Sequence, residues 1–190
     1  CNVNALHQEF RIIPEPETRT VRVEVSPNFD PALADIGLAF LRGGTLCPFG
    51  AESLFRLPEY MDRLQVTFWR SVPSLAKLAL QSGQLREGAF ESLKVSVFCG
   101  EVLTCSIASA WSKAAPGSRL ANFYGPAETS IDVLASWWDP VKLGDPAVVS
   151  IGRPLRHARL AVIDENLAMV SGNVPGELVV SGPQVFPGYI

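Results

Sequence analysis

Leu120-Ala121-Asn122-Phe123-Tyr124-Gly125-Pro126-Ala127-Glu128-Thr129 decides how the chain reads. A short apolar run ends in an aromatic ring and a Gly-Pro turn, and a carboxylate and a hydroxyl follow at once. A buried strand that empties into a tight polar bend is how the ligand-facing edge of an open α/β sheet is built.

Upstream, the same grammar recurs. Val21 to Val25 alternates and is β-branched, so it reads as a strand. Asp30-Pro31 then opens a helix to about Leu41, with Asp30 as N-cap and Gly43-Gly44 as the stop. Thr45 to Cys47, Val66 to Arg70 and Val95 to Phe98 read as further strands. Helical stretches follow from Pro58 to Arg63, Pro73 to Leu80 and Val102 to Lys113. Strand and helix alternate at the spacing of βα units, which predicts an α/β fold: a mostly parallel sheet flanked by helices. After Thr129 the signals change to strands and Gly/Pro turns. The expected division is residues 1–139 as the parallel unit and 140–190 as the start of a small antiparallel β subdomain.

Composition excludes several classes. A net charge of −3 and the absence of a basic stripe argue against a nucleic-acid partner. No run reaches the ~18 apolar residues a membrane span needs. Cys1, Cys47, Cys99 and Cys105 lack Cys-x-x-Cys spacing, and His7 and His157 are far apart in sequence, so a zinc site is not expected. Scattered apolar cysteines suit a reducing, cytoplasmic setting. Residue 1 is not Met and falls inside ordinary domain sequence, so the chain reads as a piece of something longer.

The strand exits gather Asp30, Arg70, Cys99-Gly100-Glu101 and Tyr124-Gly125-Pro126 on one rim. Read locally, Asp30 is a helix cap, Glu128 a solvated acid and Tyr124 a plug for the sheet edge. Arg70 and Asp132 form a plausible pair that reads nothing of a ligand.

Six stretches, in order, resemble the adenylation domains of nonribosomal peptide synthetases, members of the adenylate-forming superfamily. These are Asn28-Phe29-Asp30, Val66-Thr67 to Pro73-Ser74-Leu75, Val97 to Leu103, Tyr124 to Thr129, Ile151 to Pro154, and Gly176 to Gly182 with Gly188-Tyr189. The resemblance implies ATP-dependent activation of an amino acid, followed by transfer to the phosphopantetheine thiol of a carrier protein. Tyr124 would stack on adenine and Asn122 would bond its edge, with Phe123, Gly125 and Gly100 beside them. Glu128 would hold Mg²⁺, and Thr129 would donate to the α-phosphate. Asp30 would pair with the substrate ammonium. Pro31, Ala34, Arg70, Ser96, Phe98, Phe123, Ile131 and Asp132 would line the side-chain pocket. Expected partners are the remainder of the adenylation domain with its C-terminal lid, a carrier protein and condensation domains.

Departures from the family pattern are Ala127, Cys99, Ala32 and Asp35. The family's phosphate loop and catalytic lid have no counterpart here, so the isolated chain is expected to be inactive. Two alternatives remain open: an acyl- or aryl-CoA ligase of the same superfamily, and a degenerate domain that does not catalyse.

Overall fold

The computed structural model describes residues 20–24, 29–141, 147–156 and 158–189. Cys1, His7, Val25, Asn28 and His157 lie outside them.

The described residues build nine strands and five α-helices. β1 (Thr20–Glu24) leads to α1 (Asp30–Leu41) and β2 (Thr45–Phe49). Two helices follow, α2 (Ala51–Leu54) and α3 (Leu57–Leu64), then β3 (Phe68–Ser71), α4 (Pro73–Gln81) and β4 (Val95–Phe98). α5 (Cys105–Ala114) connects to β5 (Arg119–Tyr124), and a single 3-10 turn, Ala127–Thr129, carries the chain to β6 (Leu134–Trp137). β7 is Arg153–Pro154, β8 Arg159–Ile163 and β9 Glu177–Ser181.

Seven strands form one sheet in the order β2-β1-β3-β4-β5-β6-β7. The pairs from β2 through β5 are parallel, and those from β5 to β7 are antiparallel. β8 and β9 form a separate antiparallel pair. The expected architecture is therefore present, but antiparallel pairing starts earlier than residue 140. Val149 and Leu155 are buried, and Val149 belongs to the core of the large sheet. Gly152 makes this possible: a Cβ there would stand 2.0 Å from the Ala135 carbonyl. Residues 147–155 thus close the large sheet, and the second sheet starts only at β8.

Helices cover both faces. On one, α3, α4 and α5 bury Tyr60, Met61, Ala76, Ala79 and Trp111 against Trp69, Phe90 and Phe98. Trp111 packs edge-on to Phe98 at 5.2 Å and tilted to Trp69 at 5.5 Å, geometries that aromatic quadrupoles favour. On the other face, Leu38 and Ala39 of α1 lie over Phe68, Val95, Val97, Cys99, Ala121 and Phe123.

Two local expectations change. Asp30 is the first residue of α1 and Phe29 is its N-cap, so the carboxylate faces the helix N-terminus from within the first turn. α5 begins at Cys105, three residues late, because Thr104 accepts the Ile107 N–H and sets the cap there. At the outer edge, β2 carries the exposed Pro48. The Tyr60 hydroxyl donates to the carbonyls of Cys47 and Pro48, at 2.8 and 3.1 Å.

Candidate active site

The parallel strands end on one side of the sheet, and a cleft of about 560 Å³ opens there. Asp30 and Pro31 enter from the start of α1, Arg70 and Ser71 from the end of β3, and Cys99 and Gly100 from the end of β4. Gly125, Ala127, Ile131 and Asp132 enter from the bend after β5. Segments distant in sequence thus share one mouth, with the Asp30 carboxylate and the Glu128 bend on its rim.

Beneath it lies a buried charge cluster. Arg70 reaches Asp132 through Nη1 at 3.0 Å and Asp35 through Nε at 3.1 Å. All three side chains are at most 2% exposed. The Arg70 guanidinium also lies 6.0 Å from the ring centres of Phe68 and Phe123. Arg70 and Asp132 do pair, as their local reading allowed. Asp35, one turn beyond Asp30 on α1, completes the cluster. Asp35 and Asp132 thus flank one guanidinium beneath the cleft, and Asp30 stands at its wall.

The strand β4 corrects the expected pocket. Ser96 and Phe98 do not face the cleft. The Trp111 indole donates to Ser96 Oγ at 2.9 Å, and Phe98 packs on the same indole. Side chains alternate along a strand, so the cleft-side residues are Val97 and Cys99. Two residues apart was the right spacing and the wrong face. Ala34 and Phe123 are on the cleft side but fully buried behind its surface.

The bend itself is tightly organised. A Cβ on Gly125 would stand 2.1 Å from the Ile131 carbonyl, so only glycine lets the chain fold back here. Tyr124 is 39% exposed at the strand exit, an available flat face. Asn122 is buried and donates to the carbonyls of Val149 and Ser150, at 3.1 and 3.2 Å. Its Oδ1 is a buried acceptor without a hydrogen-bond partner among the described residues. Thr129 departs from expectation: it is buried, and its hydroxyl donates to the Pro126 carbonyl at 2.9 Å. That hydroxyl must rotate before it can serve a phosphate. Glu101 is also committed, accepting from the Ser74 backbone and hydroxyl at 2.8 and 2.9 Å to anchor α4.

Glu128 accepts a hydrogen bond from the Tyr189 hydroxyl. That bond, and then the residue's own backbone N–H, hold its carboxyl below the usual carboxylate range, while the Tyr189 phenol is pushed up by the same contact. Glu128 is therefore anionic at neutral pH. A single such carboxylate fits Mg²⁺, which is commonly held by one or two carboxylates together with substrate phosphates. Among the described residues no cluster of three His, Cys, Asp or Glu could cage a metal, and Cys47, Cys99 and Cys105 are buried outside any disulfide.

The model of the AMP-binding enzyme family matches residues 5–190. The chain belongs to that family. Among its relatives in the AMP-binding family is the nonribosomal peptide synthetase NPS2 of Ceriporiopsis subvermispora, 33% identical over 85% of this chain and 6% of the synthetase. A D-alanine--D-alanyl carrier protein ligase of Lactiplantibacillus plantarum is 31% identical over 86% of the chain and 33% of the ligase. The Vibrio cholerae adenylation domain AlmE, solved with glycyl-adenosine-5'-phosphate, superposes with a TM-score of 0.89 at 29% identity, over 98% of this chain and 36% of AlmE. IdnL7 superposes at 0.87, also with 29% identity, over 98% of this chain and 38% of its own. The chain thus spans about a third of the length of the ligases and adenylation structures it matches. No helix among the described residues is long and apolar enough to cross a membrane.

Proposed function

We propose that this chain supplies the substrate and nucleotide cleft of an enzyme that activates an amino acid with ATP. The observation that carries the reading is the shared cleft: Asp30 on one wall and the Gly125–Ala127 bend on the other. In the reaction, a carboxylate oxygen of the amino acid attacks the α-phosphorus of ATP. The P–O bond to the β-phosphate breaks, and pyrophosphate leaves with the electron pair. The aminoacyl-adenylate then passes its acyl group to the phosphopantetheine thiol of a carrier protein, releasing AMP. The relatives that join D-alanine to a carrier, and the neighbour that holds glycyl-adenylate, support an amino-acid substrate and a carrier partner.

Each residue has a physical task. Asp30 binds the substrate ammonium, a charge pair strengthened by its sheltered place at the cleft wall. Pro31, Cys99, Ile131 and Asp132 surround the side chain. Tyr124 offers its face to the adenine ring, and the orphan Oδ1 of Asn122 suits an exocyclic amine donor. Gly100 and Gly125 let the nucleotide approach the backbone. Glu128 would hold Mg²⁺, which supplies charge stabilisation at the phosphates when bound. Condensation domains and the C-terminal remainder of the adenylation domain complete the proposed assembly.

The test is amino-acid-dependent pyrophosphate exchange in the full-length gene product. Asp30→Ala should abolish dependence on the amino acid, and deaminated acids should not replace the substrate. An Asp30→Ala enzyme with parental kinetics, or equal use of the deaminated acid, would move the reading to a CoA ligase. The isolated 190-residue chain should show no exchange.

A further inference from the structure

The bend that joins the two halves of the cleft is strained. Ser130 and Ile131 have φ of +60° and +84°. Left-handed backbone is disfavoured for any L-residue, and a β-branched side chain there is a true outlier. Such strain persists only when surrounding structure over-determines it, and it gathers at functional sites.

The surrounding structure is a strap from the far end of the chain. Gln184, in the segment after β9, is 5% exposed. Its side-chain amide donates to the Thr129 carbonyl at 2.9 Å and to the Asp132 carbonyl at 3.0 Å. Those two carbonyls bracket the strained pair. One planar NH₂ group has two donors, and both are used only if both carbonyls turn toward it, as they do with Ser130 and Ile131 left-handed. The strap is tied down on either side. Ser130 Oγ donates back to the Gln184 carbonyl at 3.1 Å, and the Phe186 N–H donates to the Glu128 carbonyl at 2.8 Å. Tyr189 then reaches the Glu128 carboxylate.

We infer that Gln184 is a positioning residue for the activation reaction: by holding Ser130 and Ile131 left-handed, it keeps Glu128 in register with Ile131 and Asp132. This rests on the activation reading above. The nucleotide side of the cleft hangs on residues before the strained pair, and the amino-acid side on residues within and after it. Release of the clamp lets the pair relax toward ordinary backbone and shifts one side against the other. A misplacement of about 1 Å between reacting groups costs on the order of 100-fold in rate.

The experiment is a double-mutant cycle in the full-length gene product, with the preferred amino acid first found by pyrophosphate exchange. Gln184→Met keeps length and removes both donors. Ile131→Gly removes the larger part of the strain that the donors hold, that of the β-branched residue, and leaves Ser130. Gln184→Met should lower kcat/KM at least tenfold in the parent and less than threefold in the Ile131→Gly background, because glycine keeps the positive φ unaided. Hydrogen exchange at residues 129–133 should accelerate at least tenfold in Gln184→Met alone. An equal loss in both backgrounds, or a Gln184→Met enzyme within twofold of the parent, overturns the inference. If Gln184→Met does not accumulate, the doubly substituted protein should fold and accumulate; failure of both overturns it as well. A parent inactive with every amino acid would instead defeat the activation reading, and the exchange rates at 129–133 would still decide whether the clamp exists.

Discussion

Ser96 and Phe98 on one face of β4 meet the indole of Trp111 and the aromatic stack beneath α3 to α5. Val97 and Cys99 on the other face meet Phe123 and the underside of α1, and Cys99 reaches the cleft. The two faces belong to the same four residues. One is filled with aromatic volume and has no access to a ligand, while the other thins out toward a cleft floored by charges. The difference teaches that a period of two says which residues travel together and nothing about which pair meets the ligand. That choice is made by the crossover helices, since α1 leaves its end of the sheet open where the bend after β5 folds back.

Several substitutions would break or sharpen that contrast. The largest effect is expected from Phe98→Ala, which should cost about 3–5 kcal/mol of stability in denaturant unfolding by leaving a cavity under Trp111. Amino-acid preference should not change; a shift in preference at parental stability would put Phe98 back in the pocket. Arg70→Met on the cleft face should cost a comparable amount, about 3–5 kcal/mol, because two buried carboxylates lose the guanidinium between them. Replacing all three members together, as Asp35→Leu/Arg70→Met/Asp132→Leu, should recover much of that loss in thermal unfolding. Recovery is not expected if the cluster contributes through shape alone.

Selectivity separates the faces more finely. Cys99→Ala should change the ratio of kcat/KM between a larger and a smaller amino acid by about tenfold, the scale of a methylene-sized change in a pocket. Ser96→Ala should leave that ratio alone and cost about 1 kcal/mol for the Trp111 hydrogen bond. The smallest effect concerns the rim. Tyr189→Phe should raise the Glu128 pKa toward its ordinary value in an NMR titration, since the phenol is the main cause of its depression. A carboxyl with a depressed folded pKa stabilises above its unfolded pKa, and that contribution is lost as pH falls through the folded value. The contact between Tyr189 and Glu128 should therefore fade on acidification below the ordinary carboxylate range, and not on alkalinisation through neutral pH.

The alternation of strand and helix was legible because each element carries its own local signal. Pro31 and Pro73 sit in first helical turns, and β4 is apolar throughout apart from one serine. The residues converging on the cleft were legible in part. Asp30, Arg70, Gly100 and Gly125 line the cleft where strand exits suggest, and Ile131 and Asp132, which only the family resemblance pointed to, line it as well. What escaped depends on contacts between distant segments. Asp35 lies inside a helix and gives no hint that its partner is on β3. Gln184 occurs in a turn-rich stretch without periodicity, and its meaning appears only against carbonyls more than fifty residues earlier. β7 has two residues, too few for any pattern, and its place in the large sheet is set by pairing with β6.

The outer strand β2 has one more consequence. Pro48 offers no N–H on that flank, and the phenol of Tyr60 already occupies two neighbouring carbonyls. An added extended peptide would find fewer backbone donors and acceptors along this stretch, which makes accretion there less favourable. Among the described residues, that border is thus one where side chains already compete for the ladder.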